Sequence, residues 1–298
     1  MVITAISYSN DEGRDNMGQY GKLFQYNGKS SSEFNLMIAG FQVIDIPLNL
    51  KRSTMISSMN KYRHRVNMYG INYDSVLGFT LQLIKNSCDK QIIDSNEMKF
   101  TRAEIREISA WLTSPLSPRL FHMTDFEPKN GQQEDEYDYF GVFTNIEASD
   151  NGIHCLECTF ECTTPYALSS EQTVVIEQGE GIVTNNSDEY EDYVYPIIII
   201  EPTATEIGSY SITITNETDG GKSITLKNMK RNDTVTMDCE KMTIKNRSGS
   251  LISFDDIDID ALDYIYWFRL LHGDNKILVS GDATITFVFR YPVKVGAY

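Results

Sequence analysis

Basic residues are in short supply in this chain: Lys and Arg number 26 against 42 Asp and Glu, a formal charge of −16. That balance argues against a general nucleic-acid binder, whose affinity comes from cations meeting phosphates. It argues equally against adhesion to an anionic membrane surface. Proline is scarce as well, at 8 residues, and there is no internal repeat and no low-complexity tract. Cysteine occurs five times, an odd count in a long chain, which does not suggest a disulfide framework. No apolar run approaches the roughly 18 residues that a bilayer-spanning helix needs. The first residues, MVITAISYSNDEGRD, lack the basic start and apolar run of a signal peptide. The expectation is synthesis in the cytoplasm without export by a standard signal.

Catalytic signatures are missing too. There is no Gly-x-Ser-x-Gly, no His-Glu-x-x-His and no phosphate-binding glycine loop, and the four histidines, His64, His122, His154 and His272, stand outside any nucleophile motif. With 42 acids any carboxylate pair could be proposed for glycoside hydrolysis, so that signal decides nothing. Cys155 and Cys158 form a Cys-x2-Cys pair, but no second pair exists to complete a zinc site. In a strand they would point to opposite faces, while Cys158, Phe160 and Cys162 would share one face as small core groups. Asp256, Asp258 and Asp260 match three positions of a calcium loop. Ala261 stands at the turn glycine and Trp267 at the closing Glu, so the match fails as an EF-hand. The acidic runs Glu134–Asp138 and Asp188–Asp192 read as exposed loops. No catalytic, cofactor-binding or metal residue is assigned, and no cofactor is expected.

What the chain does have is aromatic and strand-forming content. Hydrophobic residues make up 41%, with 17 Tyr and 14 Phe, as suits a folded protein with pleated surfaces. At about 150 residues per domain, 298 residues suggest two. Short strands with turns between them fill the first third, with Phe34–Ala39 and Val76–Ile84 among them. In the latter, Leu77, Phe79, Leu81 and Leu83 share one face. Thr101 followed by Glu104 is a capping box, and Ile105, Ile108, Trp111 and Leu112 then form one helical face ended by Pro115 and Pro118. A helix is expected over Arg102–Leu112. Phe140–Ala148 and Ile153–Cys162 read as a hairpin around an Asn-Gly turn. The composition changes at Thr163–Ser170, which divides a domain over 1–168 from a second over 169–298. Beyond that boundary come eight candidate strands, with Gly179-Glu180-Gly181 read as one of the turns between them, which suggests a β-sandwich. The fold class is mainly β.

The densest basic region is Lys51-Arg52 with Lys61, Arg63 and Arg65. Arg63 and Arg65 would share a face of a strand and are candidate interface residues for an acidic neighbouring subunit. The aromatic run Tyr264, Tyr266, Trp267, Phe268 reads as core packing in preference to a sugar platform. It leads into Arg269–Asn275, read as a strand ending in a tight turn.

Several segments, taken in order, resemble the distal tail proteins of long-tailed bacteriophages and related phage-tail-like particles. They are the early segment Phe24–Leu36, Trp111-Leu112 before a proline, and Tyr139-Phe140-Gly141-Val142-Phe143-Thr144 after an acidic loop. Phe160-Glu161-Cys162-Thr163-Thr164-Pro165-Tyr166-Ala167 is the next. Then comes Trp267-Phe268 ahead of Leu271, Gly273-Asp274-Asn275 and Val279-Ser280-Gly281. The resemblance implies an N-terminal belt-type β-sandwich with one helix and a hairpin, and a C-terminal sandwich of galectin-like or carbohydrate-module-like type. It implies a hexameric ring in a virion tail tip or baseplate, without catalysis. The implied partners are further copies of the chain, a tail tube protein, tail-tip or tail-associated proteins and receptor-binding proteins. A glycan is the partner of the alternative reading, an adhesion module. Nucleic acid and membrane insertion are not expected.

Overall fold

The structure is a computed structural model and describes residues 23–43, 52–60, 65–86, 97–124, 137–148, 154–203, 208, 210–231, 233–253, 256–258 and 265–294. The chain divides into two compact units. One comprises Met1–Gln132, Gly141–Thr163 and Gly296–Tyr298; the other comprises Gln133–Phe140 and Thr164–Val295.

The first unit begins with a tight hairpin. Strand β1 (Leu23–Tyr26) turns into β2 (Lys29–Ser30) through Asn27 and Gly28, both at positive φ (50° and 75°), the backbone of a hairpin turn that matches strand twist. Phe34, expected in a strand, instead ends a 3-10 turn over Ser31–Phe34. Ser30 and Glu33 cap that turn reciprocally, and Asn35, left-handed at φ 54°, stops it. Strand β3 (Leu36–Val43) starts only there. Strands β4 (Arg52–Asn60) and β5 (Arg65–Tyr73) pair with each other. Next is β6 (Gly78–Lys85); Leu77 and its Phe79, Leu81 and Leu83 are all fully buried, as their alternation requires.

Helix α1 runs over Arg102–Thr113. Thr101 Oγ1 accepts from Glu104 N at 3.3 Å, and Glu104 accepts from Thr101 N at 2.6 Å, completing the capping box. Ile108, Trp111 and Leu112 form its buried face. Strands β7 (Arg119–Thr124), β8 (Tyr137–Ala148) and β9 (Leu156–Cys162) complete the sheet, ordered β2-β1-β7-β8-β9-β6-β3. Trp111 docks the helix: its ring stacks on Phe24 at 5.4 Å and Phe34 at 4.3 Å, and its N–H donates to the Tyr26 carbonyl at 3.0 Å. Phe79, Phe121, Phe143 and Phe160 extend an aromatic core beneath it, each ring burying area worth about 1.5–3 kcal/mol.

In the second unit, the opening residues of β8 pair with β10 (Ala167–Ser169), which pairs with β21 (Pro292–Val293). One five-stranded sheet is ordered β11-β20-β13-β16-β17. It is built from β11 (Gln172–Ile176), β13 (Ile197–Pro202), β16 (Val235–Asp238), β17 (Thr243–Asn246) and β20 (Ala283–Phe289). The other is ordered β12-β19-β14-β15-β18. Its strands are β12 (Gly179–Asn185), β14 (Tyr210–Asn216), β15 (Lys222–Met229), β18 (Ile257–Asp258) and β19 (Gly273–Ser280). Ile198, Ile200, Ile285 and Phe287 of the first share one core with Ile212, Ile214, Ile277 and Val279 of the second, so the unit is a β-sandwich.

Two sequence expectations change here. Gly179-Glu180-Gly181 is strand, paired with Leu278 and its neighbours, instead of a turn. A methyl on Gly181 would lie 2.7 Å from the Ile176 side chain, so glycine serves close packing there. Gly273–Asn275, read as a tight turn, opens β19, with Gly273 opposite Asn185.

Candidate interaction surfaces

The basic segment falls on the β4–β5 pair. Its two strands form a sheet of their own and, among the described residues, pair with no other strand. Arg65 is the first residue of β5, opposite Asn60. Arg63, with Lys61 and His64, lies outside the described residues. A lone two-stranded hairpin is marginal in water.

The sheet of the first unit turns its second face away from the aromatic core. There Glu157, Thr159 and Glu161 alternate with the buried Cys158 and Phe160 along β9. Register sets Glu147 of β8 and Gln82 of β6 on either side of Glu157. The hairpin expected from sequence leaves its register open, and it is the register that brings Glu147 and Glu157 side by side.

In the second unit a buried polar knot holds the chain at Ile265–Leu271, which belongs to neither sheet and makes one isolated bridge, Leu270 to Val194. Asp219, 7% exposed, sits in the turn after β14. Its carboxylate accepts two bonds from Arg269, from Nε at 2.8 Å and a terminal nitrogen at 2.9 Å, and a third from the Tyr266 hydroxyl at 2.8 Å. Lys222 adds contacts at 3.2 and 3.3 Å. Burial alone would raise the Asp219 pKa; the bonds from Arg269, Tyr266 and Lys222 outweigh it and hold the carboxyl at about 2. The Arg269 guanidinium also lies 4.0 Å from the Tyr193 ring centre. Three fully buried asparagines finish the knot. Asn185 and Asn216 donate to the carbonyls of Leu270 and Arg269, and Asn275 bonds both backbone groups of Leu271. The 50-residue separation of Asp219 and Arg269 concealed this knot from sequence reading.

Of the remaining residues singled out from sequence, Tyr266 and Phe268 are buried in the core, and Tyr264 lies outside the described residues. Cys158 and Cys162 are buried with Phe160 on the inner face of β9, and burial pushes both thiols up to about 12. Cys155 is half-buried just before β9. Asp256 accepts from the Asn228 amide at 3.1 Å, and Asp258 belongs to β18. Asp255, Asp260 and Asp263 lie outside the described residues. Asp138 overturns its reading as part of an exposed loop. It is 3% exposed in β8 and bound by Arg290 at 2.7 Å, because strand pairing carries it inside. Asp188 and Glu189 engage Lys294 through its backbone and side chain respectively. His272 meets the Tyr190 ring at 4.3 Å.

Comparison with known proteins agrees with this architecture. Residues 19–164 match the family described as phage tail protein N-terminal domain, and residues 166–289 match the phage tail C-terminal domain. Among solved structures, the Dit protein of phage SPP1 is described as a paradigm of the hub adsorption apparatus in phages infecting Gram-positive hosts. It superposes with a TM-score of 0.59 at 13% identity, over 91% of this chain and 99% of that one. Two structures of the phage P2 baseplate in its activated conformation, with calcium and with strontium, give 0.54 at 9% identity, over 92% of this chain and 99% of theirs. No curated protein sequence matches the chain. The two family matches together run from residue 19 to residue 289, and the chain therefore belongs to the phage tail proteins, components of the virion tail, with the fold of a distal tail protein.

Proposed function

We propose that this protein is the structural hub of a phage tail tip or baseplate, in which six copies close a ring joining the tail tube to tip or receptor-binding components. The observation that carries this reading is the end-to-end likeness to a hub protein, 99% of which is covered. The N-terminal domain, 1–168, supplies the ring-forming surface, and the C-terminal sandwich, 169–298, faces the partners. The work is scaffolding without catalysis, and assembly takes place in the host cytoplasm. A ring of identical copies repeats one heterologous contact until it closes. Arg63 and Arg65 belong to that contact, on the strength of the local charge contrast.

Solution mass is the test. Six copies of 33.9 kDa make roughly 203 kDa. Reversing charge at Arg63 and Arg65 should shift the population toward smaller species. An oligomer unchanged by the reversal removes those two residues from the interface.

A second reading, glycan binding by the C-terminal sandwich, draws on an open groove of about 730 Å³ across β13, β16 and β17. Glu201, Thr234, Thr236, Lys245 and Arg247 line it with groups that could meet sugar hydroxyls. Glycan-array binding by the full chain would favour that reading.

A further inference from the structure

The groove across β13, β16 and β17 carries two cations in a chain of net charge −16, and naming its ligand class rests on the glycan reading. Its shape follows from strand order. β16 lies between β13 and β17, and it turns Thr234 and Thr236 outward in alternation with the buried Val235 and Met237. Those short side chains make a floor. Glu201 and Pro202 stand on the β13 side, and Lys245, Arg247 and Gly249 on the β17 side. The space of about 730 Å³ falls among the sizes usual for small-ligand sites. The β17 side is locked by its own turn. The Asn246 side-chain oxygen accepts from Ser248 N at 3.1 Å, Ser248 Oγ at 2.7 Å and Ser250 N at 3.0 Å. Gly249, at φ 81°, donates to the Asn246 carbonyl at 2.8 Å. Arg247 is carried on that turn.

Other cations of this unit are already matched. Lys222 and Arg269 meet Asp219, Lys276 meets Glu180 and Glu217, and Arg290 meets Asp138. Lys245 and Arg247 are exposed and, among the described residues, form no ion pair. Val235 pairs with Asn246, so the turn before Thr234 emerges beside Arg247. That turn brings Lys230 and Arg231, which are likewise exposed and unmatched by any carboxylate side chain among the described residues. Glu201 is the one carboxylate among the described lining residues, and none of them is aromatic. A neutral sugar therefore finds no ring to stack on, while an anionic one finds a guanidinium whose fork fits carboxylate or phosphate oxygens. We propose that the groove takes an anionic polysaccharide. Lys245 and Arg247 meet its phosphate or carboxylate groups, and Thr234, Thr236 and Glu201 meet its hydroxyls.

Calorimetric titration of the full chain with soluble polymers tests this. Polygalacturonate supplies carboxylates, poly(glycerol phosphate) supplies phosphates, dextran is neutral, and poly-L-glutamate is an anion without sugar. Binding to either of the first two supports the proposal, and the tighter one identifies the anion. Lys245→Ala with Arg247→Ala should weaken that binding at least about tenfold. Lys241→Ala with Lys276→Ala removes the same charge elsewhere and should stay within about twofold of the parent. Circular dichroism checks that both variants fold. Equal loss in the two variants overturns the groove as the site. Dextran bound as tightly as the charged polymers, or a glycan array that lights up only with neutral sugars, overturns the anionic ligand and leaves the glycan reading standing. Poly-L-glutamate bound as tightly as either polyanion overturns the saccharide and points to an acidic protein partner. Binding to no glycan on the array and to none of the polymers removes the glycan reading itself.

Discussion

Replacing Asp219 by Asn isolates the charge at the centre of the second unit's polar knot. The folded carboxyl titrates at about 2, against 3.8 ordinarily. A depressed pKa stabilises the fold above the unfolded pKa and ceases to do so as pH falls through the folded one. The shift converts to roughly 2 kcal/mol of stability at pH 7, at about 1.4 kcal/mol per pH unit. Asn adds to the loss, since its amide would face donors on Arg269, so the expected cost is about 2–3 kcal/mol. For a unit of this size that lowers its melting transition by about 8 °C. Scanning calorimetry of parent and variant at pH 7, 4 and 2.5 gives the measurement. The gap should be widest at pH 7, already slightly narrower at pH 4 and down to about a third at pH 2.5, closing fully only below the folded pKa of about 2. A variant melting with the parent at pH 7, or a gap that is constant down to pH 2.5, refutes the reasoning.

Two further perturbations address the first unit. Thr101→Ala deletes the side-chain acceptor of the capping box and should cost about 1 kcal/mol in urea unfolding; no shift in the midpoint would mean that the Glu104–Lys85 ion pair at 2.7 Å suffices to start the helix. Gly141→Ala places a methyl into the Glu161 carbonyl and the Phe160 ring, so about 3 kcal/mol or more should be lost, with a matching fall in soluble yield. Near-parental stability there would contradict the close approach of β8 to β9.

Legibility in the sequence tracked the range of the interactions. The capping box of α1 and the alternation of Leu77, Phe79, Leu81 and Leu83 are local patterns, and both appear as expected. The 3-10 turn at Ser31–Phe34 is also capped locally, by Ser30 and Glu33, but Phe34 read as strand because its neighbours Leu36 and Ile38 do belong to one. Glycine misled twice. Gly181 is a packing glycine beneath Ile176, and Gly273 at φ 85° opens a strand where a tight turn was expected. Asp138 looked exposed because Glu134, Asp135 and Glu136 precede it, while the pairing with β10 that carries it inside and its partner Arg290, 152 residues away, are not local. The Asp219–Arg269 bond likewise depends on a contact made only by the folded chain, while the Glu147–Glu157 row needs the register of a hairpin whose two strands are legible locally. The family order survived these errors, since it rests on residues such as Trp111 and Phe160 that the core itself demands.

Negative-stain imaging of the purified chain, alone and mixed with its tail tube protein, tests the hub assignment most directly. Closed rings with six-fold averages are the predicted result. Particles no larger than a single 33.9 kDa chain in both samples would contradict it.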